Sequence, residues 1–366
     1  MEKNIVANQD DRHEAIREKY SLLVMISTQK KVEKMANYAL ANGANSAFFS
    51  YARGTLPNHI LLALGLANVK REIAVLSVPN SMAAILLDRI NQKFDLAEKM
   101  GGIAYLISLE KTMTRPDVDR DHTYSAIVTI VNEGEGEDVV TNVRRKYYVG
   151  ATILHASGSA DHSRKTFDFE IVPSKEIVLI ITKKSLCEAV YRTIHESLRT
   201  ELPGRGVIFT TDLDMVAGIH EQERQHKKTN EVDDNEAIDE ISGKEITEPY
   251  STSIDKEAAE QDISHRIAVL ALVDRGHTGE VVRAAEAAGS QGATIMRGRF
   301  TEHESRGFLS HTGDVGKEAV IMIATKETAL AIMRSLNQYA TTHAEINILL
   351  TWMRIHSFSR FSYGKE

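Results

Sequence analysis

The chain has 366 residues, 42% of them hydrophobic, and a formal net charge of -7. That length is enough for two or three domains, and the mild acidity excludes the broad basic surface that general nucleic-acid binding needs. Cys187 is the single cysteine, which excludes an intrachain disulfide framework and a thiolate metal site.

Residues 1–20 form a charged tail with neither the apolar core of a signal peptide nor the makeup of a transit peptide. No apolar run approaches the roughly 20 residues of a membrane span. The expectation is a cytoplasmic protein with no membrane insertion. Residues 21–54 read as a strand, a helix closed by Gly43 and a second strand. A third strand over 69–79, a helix over 80–93 and a fourth strand over 102–109 complete the first unit. The same order returns at 124–158, where Gly150 follows the helix, and continues through 173–183, 184–200 and 206–213. It returns again at 266–300, with Gly292 after the helix, and through 315–325, 326–340 and 345–352. Each third strand opens with a basic residue before a glutamate: Arg71-Glu72, Lys175-Glu176 and Lys317-Glu318.

The unit is βαββαβ, three times. The map is repeat 1 over 21–112, repeat 2 over 122–220, and repeat 3 over 264–366 with a C-terminal extension. Residues 221–262, acidic and almost free of aromatics, read as a linker. A βαββαβ unit folds as an antiparallel sheet with both helices on one face. Its open face should then alternate with polar residues. Leu22–Met25, Ile177–Ile181 and Ala319–Ile323 are apolar throughout, so the second face must also be covered. Burying one Val, Leu or Ile is worth roughly 1.5–3 kcal/mol. The expected fold class is therefore α+β: three ferredoxin-like repeats whose sheets face inward as an intrachain pseudo-trimer.

These segments resemble the PII-type signalling proteins and their PII-like relatives. The middle repeat carries the likeness in PSKEIVLIIT and in PGRGVIFTTDLDMVAGI (203–219). The third carries it in VDRGHTGEVVRAA and GATIMRGR, and the first in YARGTLPNHILLALGL (51–66). The resemblance covers most of 21–110, 123–220 and 264–352. It implies trimers with the sheets inside and small effectors, usually adenine nucleotides, held in clefts between neighbours. It also implies a target protein, an enzyme, transporter or regulator, engaged through the strand 2–3 loops, and a role in nitrogen or carbon metabolism. No cofactor is required; ATP, ADP, AMP or a cyclic nucleotide is the expected effector.

The candidate ligand residues follow from glycine turns and loop bases. Glycines let backbone N–H groups approach a phosphate, and an arginine adds charge-assisted bonds. The turns before strand 4 are Gly204-Arg205-Gly206 and Gly101-Gly102; the third repeat has THAEIN instead. Val207 stands where the family carries a lysine. The loop bases are Arg53-Gly54 and Arg297-Gly298-Arg299, with Ser157-Gly158 in the middle repeat. Lys175, Lys317 and Arg71 are placed either to reach a phosphate or to pair with surface carboxylates. The third loop carries Glu302, His303, Glu304, His311 and Asp314, types that suit a metal and equally a recognition loop; no metal is assigned. No catalytic triad stands out, and the DRGHTGE turn lacks the GxxxxGK[ST] of a P-loop. The expected activity is non-enzymatic regulation. The alternatives are an enzyme, or the regulatory part of one, using the clefts for catalysis, and a scaffold whose ligand sites have decayed.

Overall fold

A computed structural model describes residues 20–55, 68–96, 101–109, 122–159, 165–166, 169–170, 173–198, 206–219, 266–302 and 315–361. The N-terminal tail to residue 19, the linker 221–262, Gly204, Arg205 and the third-loop residues His303, Glu304, His311 and Asp314 lie outside them.

The first segment runs β1 (Tyr20–Ser27), α1 (Gln29–Ala41), β2 (Ser46–Thr55), β3 (Asn68–Pro79), α2 (Asn80–Phe94) and β4 (Ile103–Ser108). The second runs β5 (Tyr124–Asn132), α3 (Gly136–Arg144), β6 (Ala151–Gly158), the short β7 (Lys165–Thr166) and β8 (Phe169–Glu170), then β9 (Ser174–Lys183), α4 (Lys184–Leu198), β10 (Gly206–Leu213) and β11 (Met215–Ala217). The third runs β12 (Arg266–Asp274), α5 (Thr278–Ala287), β13 (Thr294–Glu302), β14 (Val315–Thr325), α6 (Lys326–Thr342), β15 (Ile348–Arg354) and β16 (Phe358–Phe361). The class is α+β: one 14-stranded antiparallel sheet and six helices among the described residues.

Strand order is β4-β1-β3-β2 in the first segment, β10-β5-β9-β6 in the second and β15-β12-β14-β13 in the third. The second strands then join the segments pairwise. Thr55 faces Ala151 between β2 and β6, and Thr301 faces Ala47 between β13 and β2. Thr294 faces Gly158 between β13 and β6, and the Ser159 N–H donates to the Ala293 carbonyl at 2.7 Å. Two short strands cross between segments at the opposite edges. β11, from the end of the second segment, pairs with β4 of the first. β16, from the end of the third, pairs with β10 of the second.

Each segment buries one sheet face under its own two helices. The helices present apolar residues every three or four positions, such as Val32, Met35, Ala36, Ala39 and Leu40 on α1. Cys187 belongs to such a stripe with Val190, Ile194 and Leu198 on α4. Burial first of all pushes its thiol up to about 11, so it stays protonated. The opposite sheet faces meet in a shared core that joins Val24, Tyr105, Leu179, Phe209, Ala268 and Met353 from all three segments. Continuous apolar strands thus bury both faces, as their sequence requires.

The third segment departs from the expected boundaries. Its fourth strand begins at Ile348 rather than at residue 345, and the extension supplies β16. No glycine follows α6, so the chain leaves that helix through a turn at His343–Ile346, closed by an Ile346 N–H to His343 carbonyl bond at 3.0 Å.

The second and third segments also meet at Asp212 on β10. Its carboxylate accepts from the Ser125 hydroxyl at 2.7 Å and Lys184 Nζ at 3.0 Å, and lies 3.4 Å from His356 Nε2. Burial alone would raise its pKa; the Ser125, Lys184 and His356 contacts outweigh it and hold the carboxyl below its ordinary value. A depressed carboxylate stabilises the fold above its unfolded pKa and loses that contribution as pH falls through the folded value. Denaturant midpoints should therefore fall below about pH 4, and Asp212→Asn should flatten that dependence. An unchanged slope in the variant would assign the acid sensitivity to other groups.

Candidate functional site

The three glutamates of the third strands are buried: Glu72 is 1%, Glu176 2% and Glu318 6% exposed. A buried carboxylate needs partners, and two of the three take an arginine from another segment. Arg53 of β2 donates to Glu176 Oε1 at 2.6 Å and also lies 3.2 Å from Glu137. Arg299 of β13 donates to Glu72 Oε1 at 3.1 Å and stacks 4.1 Å from the centre of the Phe49 ring. The equivalent residue of β6 is Ser157, which cannot supply a charge. Glu318 is instead met by Arg297, its direct cross-strand neighbour, at 3.2 Å.

The same carboxylates serve helix starts. Glu176 Oε2 accepts the Gly136 N–H at the first residue of α3, at 2.9 Å. The Thr278 hydroxyl at the first residue of α5 donates to Glu318 Oε2. A helix N-terminus favours such negative charge. A Cβ at Gly136 would come within 2.6 Å of the Glu176 oxygen, so only glycine admits this approach.

Two of the loop-base arginines, Arg53 and Arg299, thus bond across segments. Register places Arg299, not Arg297, at the position of Arg53: Arg53 lies two residues beyond the one facing Glu72, and Arg299 two beyond the one facing Glu318. Gly298 lies against β2, where a Cβ would meet the Phe49 carbonyl oxygen at 2.2 Å and the Phe48 ring at 2.5 Å. Gly54 sits over Arg71, with 3.0 Å from its Cβ position to the Arg71 Cγ. Burial lowers the Arg71 pKa.

Lys175 takes a different kind of partner. The lysine on β9 donates to the Asn132 amide oxygen at 2.7 Å and is half-buried beside Gly158. Burial first, opposed by Glu135, leaves its pKa below the ordinary lysine value. Val131, before Asn132, pairs with Gly206, the described end of the predicted phosphate turn. Next to Gly206, Val207 pairs with Arg360 on β16, from the third segment. Arg360 donates to Gln291 Oε1 at 2.9 Å, and Gly292 with Ala293 returns the path to Ser159. Burial, then the nearby charge of Arg266, lowers the Arg360 pKa. Lys175, Gly206, Arg360, Gly292 and Ser159 thus follow one another around a closed path that draws on two segments, with cations from each.

The other two equivalents differ. In the first segment, Gly101 and Gly102 form a tight turn. The Ser27 hydroxyl donates to the Gly101 carbonyl at 2.9 Å, and Gly102 has φ 112°. Gly218, after β11, packs against it with 2.1 Å from its Cβ position to the Gly102 oxygen. In the third segment, Lys317 Nζ lies 2.6 Å from Asp274 Oδ1; the lysine is buried and the aspartate partly exposed. Sequence reasoning missed Asn132, Asp274 and Arg360. Asn132 and Asp274 were legible as the residues ending each first strand; Arg360 lies in an extension whose strand pairing gives no local signal.

No protein-family profile and no curated protein matches the chain. Among solved structures, an aspartate kinase from Synechocystis is similar over 91% of this chain at 8% identity, with a TM-score of 0.20. The chain spans 43% of that protein's length.

Proposed function

We propose that the chain is a PII-like signal-transduction protein, with three βαββαβ repeats closed as an intrachain pseudo-trimer. It binds a small anionic effector, an adenine nucleotide by preference, in an inter-repeat cleft and passes that state to a partner protein through its strand 2–3 loops. The closure is supported by the fourfold strand order that recurs in all three segments and by the cyclic pairing of β2, β6 and β13. The ligand reading rests on one observation. Lys175 bonds Asn132, next to the strand partner of Gly206, Arg360 lies opposite Val207, and these cations from two repeats donate to the neutral amides of Asn132 and Gln291. Arg205 immediately precedes that glycine in the sequence.

A charge-assisted hydrogen bond contributes roughly 1.5–3 kcal/mol. Lys175→Ala and Arg360→Ala should each weaken binding about tenfold to a hundredfold at 1.4 kcal/mol per tenfold. Arg205→Ala should do the same. Calorimetric titration with ATP, ADP, AMP and cyclic nucleotides measures this. Unchanged affinity in Lys175→Ala and Arg360→Ala removes this cleft; no heat with any nucleotide favours the scaffold reading.

A further inference from the structure

We infer that Asp274 is an internal substitute for the anion in the third repeat, so that its cleft is closed while the middle one stays open to a phosphate-bearing ligand. The inference rests on reading the clefts as effector sites.

The argument comes from matched register positions. Asn132 faces Lys175 on the neighbouring strand, and Asp274 faces Lys317 in the same way. In the middle repeat the lysine's hydrogen bond goes to a neutral amide, at 2.7 Å, and the Glu135 carboxylate acts on it only through its charge. In the third it meets a carboxylate at 2.6 Å. The other oxygen of that carboxylate accepts the backbone N–H of Asn347 at 3.1 Å. One ammonium and one backbone N–H from the turn before the fourth strand are the donors that a bound phosphate oxygen would draw on.

Two more replacements act in the same direction. Gly206 pairs with Val131 next to Asn132, but Ile348 pairs with Val273 next to Asp274. An isoleucine thereby stands where the middle repeat has a glycine. At the loop base, Gly158 leaves Lys175 half exposed, whereas the matching residue is Phe300. The Phe300 ring centre lies 5.4 Å from Lys317 Nζ, and Lys317 is 5% exposed. The third lysine is thus paired with a carboxylate and shut off from solvent, whereas the middle one bonds an amide and stays half exposed.

An ordinary structural ion pair would share the geometry but not the consequence of removing it. Losing a structural pair lowers stability only; losing a substitute also uncovers a working anion site. The test is calorimetric titration of the full chain with inorganic triphosphate. Asp274→Asn combined with Phe300→Gly should take up one more equivalent than the wild type, and adding Lys317→Ala should abolish the gain. The converse variant, Asn132→Asp, should weaken the middle site by about tenfold or more, the size of one charge-assisted contact. A folded double variant with no extra uptake overturns the inference. If that variant does not fold, Asn132→Asp decides: unchanged affinity overturns it and lost affinity supports it. A wild type that binds while the double variant adds nothing removes the substitute but keeps the effector reading. Uptake by the double variant alone does the reverse.

Discussion

Replacing Glu176 with alanine is expected to cost roughly 3–5 kcal/mol of folding stability. The carboxylate is 2% exposed and ties three elements: β9 that carries it, the Gly136 N–H that opens α3, and Arg53 from β2. Its removal strands a guanidinium with a side chain only 24% exposed and leaves a helix-end N–H without its acceptor. Glu137 retains part of the arginine's charge at 3.2 Å, which places the loss toward the lower end of that range. Guanidinium denaturation of Glu176→Ala, Arg53→Ala and the double variant gives the coupling between them. A single-variant loss below about 1 kcal/mol, typical of solvated pairs, would show that this contact does not join the segments.

Phe209→Ala should be of similar size, roughly 3–5 kcal/mol for a large core aromatic. Phe209 is 1% exposed and sits in the core shared by all three segments. The loss should therefore move a single cooperative unfolding transition for the whole molecule. The same substitution in a core private to one segment would leave two transitions. Scanning calorimetry separates these cases: a melt in which only part of the enthalpy shifts would mean that the shared core is not cooperative.

Much of this architecture was written in local sequence. The strand-helix alternation, the glycines after helices and the doubly apolar strands specify short-range structure and burial on both sides. The repeated basic-Glu pair was also legible, but its depth was not. A charged dipeptide at a strand start reads as surface, and only the arginine arriving from another segment makes burial of Glu72 and Glu176 sustainable. Gly298 is ambiguous for a related reason. A loop-base glycine is a ligand candidate, and the missing side chain of this one also makes room for Phe48 and the Phe49 carbonyl. A glycine required by a distant strand looks the same in sequence as one required by a phosphate. β16 and its Arg360 were hidden because a four-residue edge strand is defined by what it pairs with.

The exchange of edge strands sets an order of assembly during synthesis. The outer edge of β4 is covered by β11, whose residues emerge roughly 110 positions later, and β10 waits roughly 150 positions for β16. At about 5–20 residues per second, each edge stays bare for about 5–30 seconds after its own strand is made. An exposed strand edge is a template for pairing with other chains. Nascent chains truncated before residue 215 should consequently bind chaperones or aggregate, while the finished chain, once released, closes on itself.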